Sequence, residues 1–312
     1  MSTIVLNVSE TIMQEIQENY NQYYLDKTPA GSLFMAKLPG CTITGYRTGK
    51  VMFQGKEAEK EAEKWRHASS DQGKKPLKKQ THRWHPPVTI ATQSIIGSDE
   101  VGTGDYFGPI AVAAAFVSRD QLTLFAEWGV KDSKKLSDEK ISRLAKKLFS
   151  IVPHSLLVLP NKKYNDLQRK GMTQGKMKAL LHNRALLNVQ EKILHVDGIL
   201  IDQFVHPDIY FRHIAREEKR VTSAYFAEQA EALHLSVAVA SILARDAFLK
   251  EINKLSERFG ITLPKGAGTQ VDEAAARLIE KEGEAVLEQC AKLHFANTEK
   301  AKQLVKRDNH HR

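Results

Sequence analysis

Apolar positions along the first sixty residues change period twice. After Ser9, a residue suited to N-capping, Ile12, Met13, Ile16, Tyr20 and Tyr23 recur at helical spacing and predict one amphipathic helix. Short β-type runs follow at 33–38, 42–47 and 51–54, punctuated by Pro39-Gly40 and Gly49-Lys50, before a charged helix expected over 56–67. This order reads as a small antiparallel sheet with helices. Further along, 94–96 and 110–117 are apolar runs joined by the Gly-rich turn GTGDYFGP, which suggests a hairpin. Helical patterns at 137–149 and 176–194 alternate with strand candidates at 155–158 and 198–201, and another helix begins near Ser236. Such alternation predicts an α/β domain with a mixed sheet, antiparallel at its start and parallel later. Neither block contains an internal repeat.

With 312 residues, the chain has room for two domains, and 42% apolar with 27% charged residues is the balance of a soluble globular protein. Its longest strongly apolar stretch, 109–117, is far short of the roughly 20 residues that span a bilayer. The start lacks a basic region followed by a long apolar run, so neither export nor membrane insertion is expected. Cys41 and Cys290 show no metal-ligand spacing and are too few to staple the fold, which suits a reducing, cytoplasmic location without a disulfide partner. The chain is expected to act as a monomer.

The net charge of +9 favours a polyanionic partner, and the charge is uneven. Residues 1–63 carry six basic and eight acidic side chains, whereas residues 64–83 carry seven basic ones against Asp71 alone. With its serines, Gly73, Pro76 and Pro86-Pro87, that basic stretch has linker composition. The boundaries expected are therefore an α+β domain at 1–66, a basic linker at 67–88 and an α/β domain at 89–312.

Candidate chemistry begins where the apolar run Ile95-Ile96 leads into Asp99-Glu100 and then Gly102-Thr103-Gly104. Adjacent strand residues face opposite ways, so these acids can serve one site only near a strand end where the chain bends; a solvated acidic turn is the alternative. Asp202 ends a second apolar run, and open α/β sheets place ligands beyond the carboxyl ends of their strands. If 238–249 is helical, Asp246 shares a stripe with Ile242, Leu243 and Leu249, where it needs a partner; it could equally bond backbone amides, with Arg245 pairing a nearby acid. Oxygen ligands without a His or Cys cluster favour Mg²⁺ or Mn²⁺, and four converging carboxylates suit a pair of divalent ions around a phosphodiester. Two tempting motifs fail: the glycines do not complete a dinucleotide fingerprint, and Gly171–Lys176 is one residue short of a P-loop. The histidines show no zinc spacing.

DEVGTGDYFGP at 99–109, KDSKKLSDEK at 131–140, the GILIDQF stretch and VAVASILARD at 237–246 together resemble the type 2 ribonucleases H, over most of residues 94–275. Thr103 between two glycines, where the HII group has Arg, and the N-terminal block look like the ribonuclease HIII group. The resemblance implies a ribonuclease H-like mixed sheet with flanking helices, preceded by a small α+β domain resembling half of the TATA-box-binding protein fold and used to grip substrate. It implies Asp99, Glu100, Asp202 and Asp246 as the catalytic, metal-binding acids, and hydrolysis of the RNA strand of an RNA/DNA hybrid to leave a 5′-phosphate and a 3′-hydroxyl. Gly102, Thr103 and Gly104 would approach ribose 2′-hydroxyls, and Ser133, Lys134 and Lys135, at the start of a helix, would hold a backbone phosphate. Two other readings stand beside this one: incision at single ribonucleotides in duplex DNA, and a non-catalytic hybrid-binding protein.

Overall fold

The computed structural model of the chain describes residues 2–26, 28–29, 31–66, 82–131 and 136–310. The chain divides into two compact units, residues 1–81 and 82–312.

In the first unit, strands β1 (Ser2–Asn7), β2 (Ser32–Leu38), β3 (Cys41–Tyr46) and β4 (Lys50–Gly55) form an antiparallel sheet in the order β1-β4-β3-β2. Alternation sends Leu6, Phe34, Ala36, Ile43, Val51 and Phe53 to one face. Helices α1 (Glu10–Asn19) and α2 (Ala58–Arg66) cover that face with Met13, Ile16, Ala58 and Ala62. The Ser9 hydroxyl accepts the Ile12 amide at 3.3 Å and starts α1 as its sequence suggests. On the opposite face Val5, Leu33, Lys37, Lys50 and Gln54 are exposed.

In the second unit the hairpin β5 (Ile95–Val101) and β6 (Ile110–Val117) is extended by β7 (His154–Leu159), all antiparallel. On the other side of β5, β8 (Gly198–Asp202) and β9 (Tyr225–Ala227) run parallel to it, giving the order β7-β6-β5-β8-β9. The expected mixed sheet is therefore present. Helices fill both faces because β6 is apolar at every position: Ala113 and Ala115 look one way, Val112 and Ala114 the other. On the first face lie α3 (Leu122–Glu127), α4 (Asp138–Ile151), the long α8 (Leu235–Phe259), α9 (Thr269–Glu282), α10 (Leu287–Cys290) and α11 (Asn297–His310). On the second lie α5 (Asn161–Arg169), α6 (Gln174–Gln190) and α7 (Pro207–Ile214).

Two sequence expectations change. First, β5 does not stop at residue 96 but carries both acids inside the ladder, with Asp99 opposite Ala113 and Glu100 opposite Val112. Pairing with β6 overrides the low strand propensity of acids and glycine. Second, residues 82–88 of the expected linker pack on the second unit. The Trp84 carbonyl accepts the Phe226 amide at 2.9 Å, the Trp84 ring lies 4.6 Å from that of Phe211, and His82 Nε2 meets Gln203 Oε1 at 2.7 Å. The rest of that linker, 67–81, lies outside the described residues.

The sheet is held tightly to α8 at Gly97. A methyl group there would stand 2.3 Å from the Val237 amide nitrogen and 2.5 Å from the Ser236 carbonyl carbon, so strand and helix backbones approach as only glycine allows. Gly97→Ala should therefore lower stability by about 1–3 kcal/mol, the usual cost of overpacking a filled core. Urea denaturation followed by far-UV circular dichroism would show it as a lower midpoint at unchanged slope. A midpoint within error of wild type would mean that the two backbones separate freely.

Candidate active site

Parallel pairing between β5 and β8 ends at Ser98 with Ile201, while β5 continues to Val101 against β6 alone. The next residues, Asp99 on β5 and Asp202 on β8, stand at the mouth of the notch left between the two strands. Because successive strand residues alternate, Asp99 points to the α8 face and Glu100 to the α6 face. Their partners agree: Asp99 is hydrogen-bonded by Ser241 on α8, whereas Glu100 meets Lys178 and His182 on α6. The two acids thus flank the notch from opposite sides of the sheet, without the bend that the sequence suggested.

These environments separate the two acids electrostatically. Burial first, then the charges of Asp202 and Glu100, push the Asp99 carboxyl up to about 8; the Ser241 hydroxyl and the Glu100 amide, 2.7 Å from Oδ1, oppose this only in part. Burial also works to raise Glu100, but the His182 hydrogen bond and the Lys178 ammonium outweigh it and hold its carboxyl below the usual range. Lys178 Nζ donates to Oε1 at 2.7 Å and His182 Nε2 to Oε2 at 2.9 Å, with all three side chains less than a tenth exposed. His182 Nδ1 lies 2.8 Å from Ser98 Oγ; since a carboxylate only accepts, this network assigns Nε2–H to Glu100 and makes Nδ1 the acceptor from Ser98. Asp202 Oδ1 accepts the Ala230 amide at 2.8 Å, and the same turn carries the buried Glu231.

The fourth expected acid is not brought to this notch. Asp246 follows Ser241 by five residues, about 140° further round α8 at 3.6 residues per turn, and so faces α4. There Ser142 Oγ donates to Oδ1 at 2.8 Å, and Lys250 Nζ lies 2.7 Å from Oδ2 without hydrogen-bond alignment. The apolar stripe that made Asp246 look like a buried ligand is the stripe that packs α8 on α4. Arg245 pairs with Asp138 at 2.7 Å.

The Gly-rich turn divides by function. Gly102 has φ +95° and a Cβ there would meet the Pro109 carbonyl at 2.2 Å; Gly108 has φ +79° and Ile252 at 2.6 Å. Both are glycines because the fold requires them. Gly104 has neither a positive φ nor any atom within 4 Å of where a Cβ would stand, so packing gives no reason for its missing side chain. The turn is tied down from below by the fully buried Lys292, whose Nζ donates to the carbonyls of Asp105 at 2.8 Å and Gly108 at 2.5 Å. Burial pushes that ammonium down to about 7. Asn161 also donates to Gly108 O, and Gln174 to Thr103 O, while Thr103 Oγ1 is buried without a hydrogen-bond partner. Lys135, Lys134 and Ser133 lie outside the described residues.

The donor set suits a hard divalent cation: all oxygen, anionic, and strained by its own charge. Among the described residues, no three His, Cys, Asp or Glu side chains are drawn together closely enough to enclose an ion; Lys178 and the Ala230 amide engage Glu100 and Asp202. Nothing in the chain's local pattern marks Lys178 or His182, and Ser241 lies inside the VAVASILARD stretch without being singled out there. Nor is any helix among the described residues long and apolar enough to cross a membrane.

Comparison with known proteins places these residues in context. The family described as Ribonuclease HII matches residues 96–298, and a domain of unknown function (DUF3378) matches residues 3–78. The Ribonuclease HIII of Bacillus velezensis is 53% identical over 310 residues, covering 98% of this chain and 99% of the relative; that of Bacillus thuringiensis is 51% identical over the same extent. Among solved structures, Bst-RNase HIII in complex with Mn²⁺ is similar at TM-score 0.68 and 47% identity, covering 98% of this chain and all of that one. Aquifex aeolicus RNase H3, at 24% identity and TM-score 0.53 over 93% of this chain and 99% of its own, shares the fold.

The raised Asp99 carboxyl has a measurable consequence. Unfolded, it ionises near 3.8; folded, near 8, so the folded state binds this proton more tightly and the contribution to stability is lost as pH rises from about 4 to about 8. Asp99→Asn removes the titration. In EDTA, the melting temperature of the variant should therefore gain on wild type across that interval, by roughly 2–4 °C for each kcal/mol relieved. A difference that does not vary with pH would mean that Asp99 ionises normally.

Proposed function

The chain belongs to the ribonuclease HII family, on its ribonuclease HIII branch, and from that premise we propose that it cleaves the RNA strand of RNA/DNA hybrids with a divalent ion, Mg²⁺ or Mn²⁺, held by Asp99, Glu100 and Asp202. The observation that carries this reading is the notch where β8 leaves β5, around which three acids of unequal proton affinity stand at the carboxyl end of parallel strands, short of enclosing an ion. An ion held there would supply charge to the phosphate and lower the pKa of the attacking water, and attack on phosphorus with breakage of the P–O3′ bond would leave a 5′-phosphate and a 3′-hydroxyl. Asp202, fixed by the Ala230 amide, and Asp99, fixed by Ser241, would supply oxygens from neighbouring parallel strands. Glu100 is kept ionised and oriented by His182 and Lys178.

Recognition of RNA fits the Gly-rich turn. Gly104 leaves its backbone open to a ribose, and Lys292 and Asn161 keep the turn from yielding, whereas the Thr103 hydroxyl is buried beneath the turn, so any Thr103 contact with substrate would come from its backbone. Ser133, Lys134 and Lys135 remain candidates for phosphate contact on their sequence alone. The first unit would grip the hybrid through its open sheet face, where Lys37, Lys50 and Gln54 supply donors despite the slightly acidic balance of residues 1–63. Asp246 is assigned to packing, not to the ion.

Digestion of two matched substrates, an RNA/DNA hybrid and a DNA duplex with one ribonucleotide, tests the activity. EDTA-reversible cleavage of the hybrid is expected; preferential incision at the single ribonucleotide would favour the HII-like reading, and binding without cleavage the non-catalytic one. Asp99→Asn, Glu100→Gln and Asp202→Asn should each lower kcat by roughly 10²–10³-fold, since several kcal/mol of charge stabilisation are at stake. Asp246→Asn should stay within a few-fold of wild type while unfolding at lower urea; a loss like the other three would return Asp246 to the ion site. A chain of residues 82–312, which keeps Trp84 and its contacts, should show a raised KM with a smaller change in kcat. Equal KM for the short and full chains would remove the first unit from substrate binding.

A further inference from the structure

Both oxygens of Glu100 are taken. His182 holds Oε2 and Lys178 holds Oε1, in a pocket where none of the three side chains is more than a tenth exposed. For Glu100 to bind a divalent ion, as the proposed function requires, one donor must yield, because an ammonium 2.7 Å from the same oxygen repels the incoming charge in a medium that screens it poorly. The two donors are unequally fixed. His182 is fully buried, has both ring nitrogens engaged between Ser98 and Glu100, and stacks on Phe204 at 4.9 Å with planes 22° apart. Lys178 makes a single hydrogen bond from the end of a four-carbon stem, and its other support is the same Phe204 ring, 4.4 Å beneath Nζ. A cation over an aromatic face keeps favourable contact over a range of positions, so Lys178 can leave Glu100 without being stranded.

We propose that Lys178 is a resident counter-cation: it neutralises the carboxylate cluster when no divalent ion is bound and is displaced from Glu100 when one enters. It is thus a positioning residue that sets the affinity for the ion. Phe204 lies two residues beyond Asp202, so the ring that receives the ammonium belongs to the segment leaving the second acid-bearing strand. The arrangement has a physical rationale. Three acids around one notch would repel one another in the metal-free protein, and a removable lysine keeps them together at the cost of weaker ion binding.

The proposal rests on the ion-site reading, and the test separates the two. Titrating Mn²⁺ into the full chain without substrate at pH 8, by isothermal calorimetry and by melting temperature, should give Lys178→Met a Kd about tenfold lower than wild type, which is about 1.4 kcal/mol. The variant should also melt lower in EDTA and gain more from Mn²⁺. Lys178→Arg, which keeps the charge, should bind as weakly as wild type. An unchanged or higher Kd for Lys178→Met would overturn the proposal. No saturable Mn²⁺ uptake by wild type would instead sink the ion site, and the proposal with it. Should Lys178→Met fail to fold, amine acetylation of the wild-type protein read by mass spectrometry decides the matter: Lys178 should be protected in EDTA and labelled faster with Mn²⁺. Equal labelling would mean that the lysine never moves.

Discussion

Like charges in a site with little water repel, and the catalytic unit is built around containing that repulsion. Asp99, Glu100 and Asp202 are close enough for the charges of the other two to raise Asp99, yet each is met by a different kind of donor. Asp99 has a hydroxyl from α8, Glu100 an ammonium and an imidazole from α6, and Asp202 a backbone amide from the turn after β9. No single element could do this. The three acids lie on two strands, and their partners come from both faces of the sheet, so the site exists only when all three layers are assembled.

That requirement explains where the fold is least tolerant. Gly97 lets β5 lie against the first turn of α8, which in turn brings Ser241 up to Asp99. Ser98, the next residue, faces the other way and fixes His182. Thus two adjacent small residues on the central strand set the distance to one helix and the orientation of a side chain on the other. The Gly-rich turn depends on a similar device, since a buried lysine with two carbonyl acceptors is costly to misplace and so defines the path of the backbone between Asp105 and Gly108.

Much of this was legible in the chain. Asp99, Glu100 and Asp202 stand out because charge interrupts apolar runs, and the mixed sheet follows from runs alternating with helical periods. Asp246 was misleading for a physical reason: an acid on an apolar helical stripe needs a partner, and the sequence does not say whether that partner is an ion or, as here, Ser142. Lys178 and His182 were illegible because their partners are 78 and 82 positions away, and nothing local distinguishes them from solvated polar residues of a helix. Likewise Trp84 sat in a stretch of linker composition, where one aromatic side chain packed on Phe211 outweighs the basic and proline residues around it.

The opposed proton affinities of Asp99 and Glu100 bear on how such a site can be both stable and reactive. A cluster of three fully ionised acids would be stabilised by an ion but destabilised without one; three neutral acids would be stable but poor ligands. Holding Glu100 ionised while Asp99 readily keeps its proton leaves the metal-free site with less charge to contain. A divalent cation held there, as proposed, would favour release of the Asp99 proton, because its positive charge would oppose the field that raised that affinity. On that reading ion binding and proton release would be linked, and ion affinity would rise with pH until Asp99 is ionised. The arrangement eases the charge in the metal-free protein by placing two neighbouring residues of one strand on opposite faces of a sheet, where burial raises one carboxyl and hydrogen-bond donors hold the other ionised.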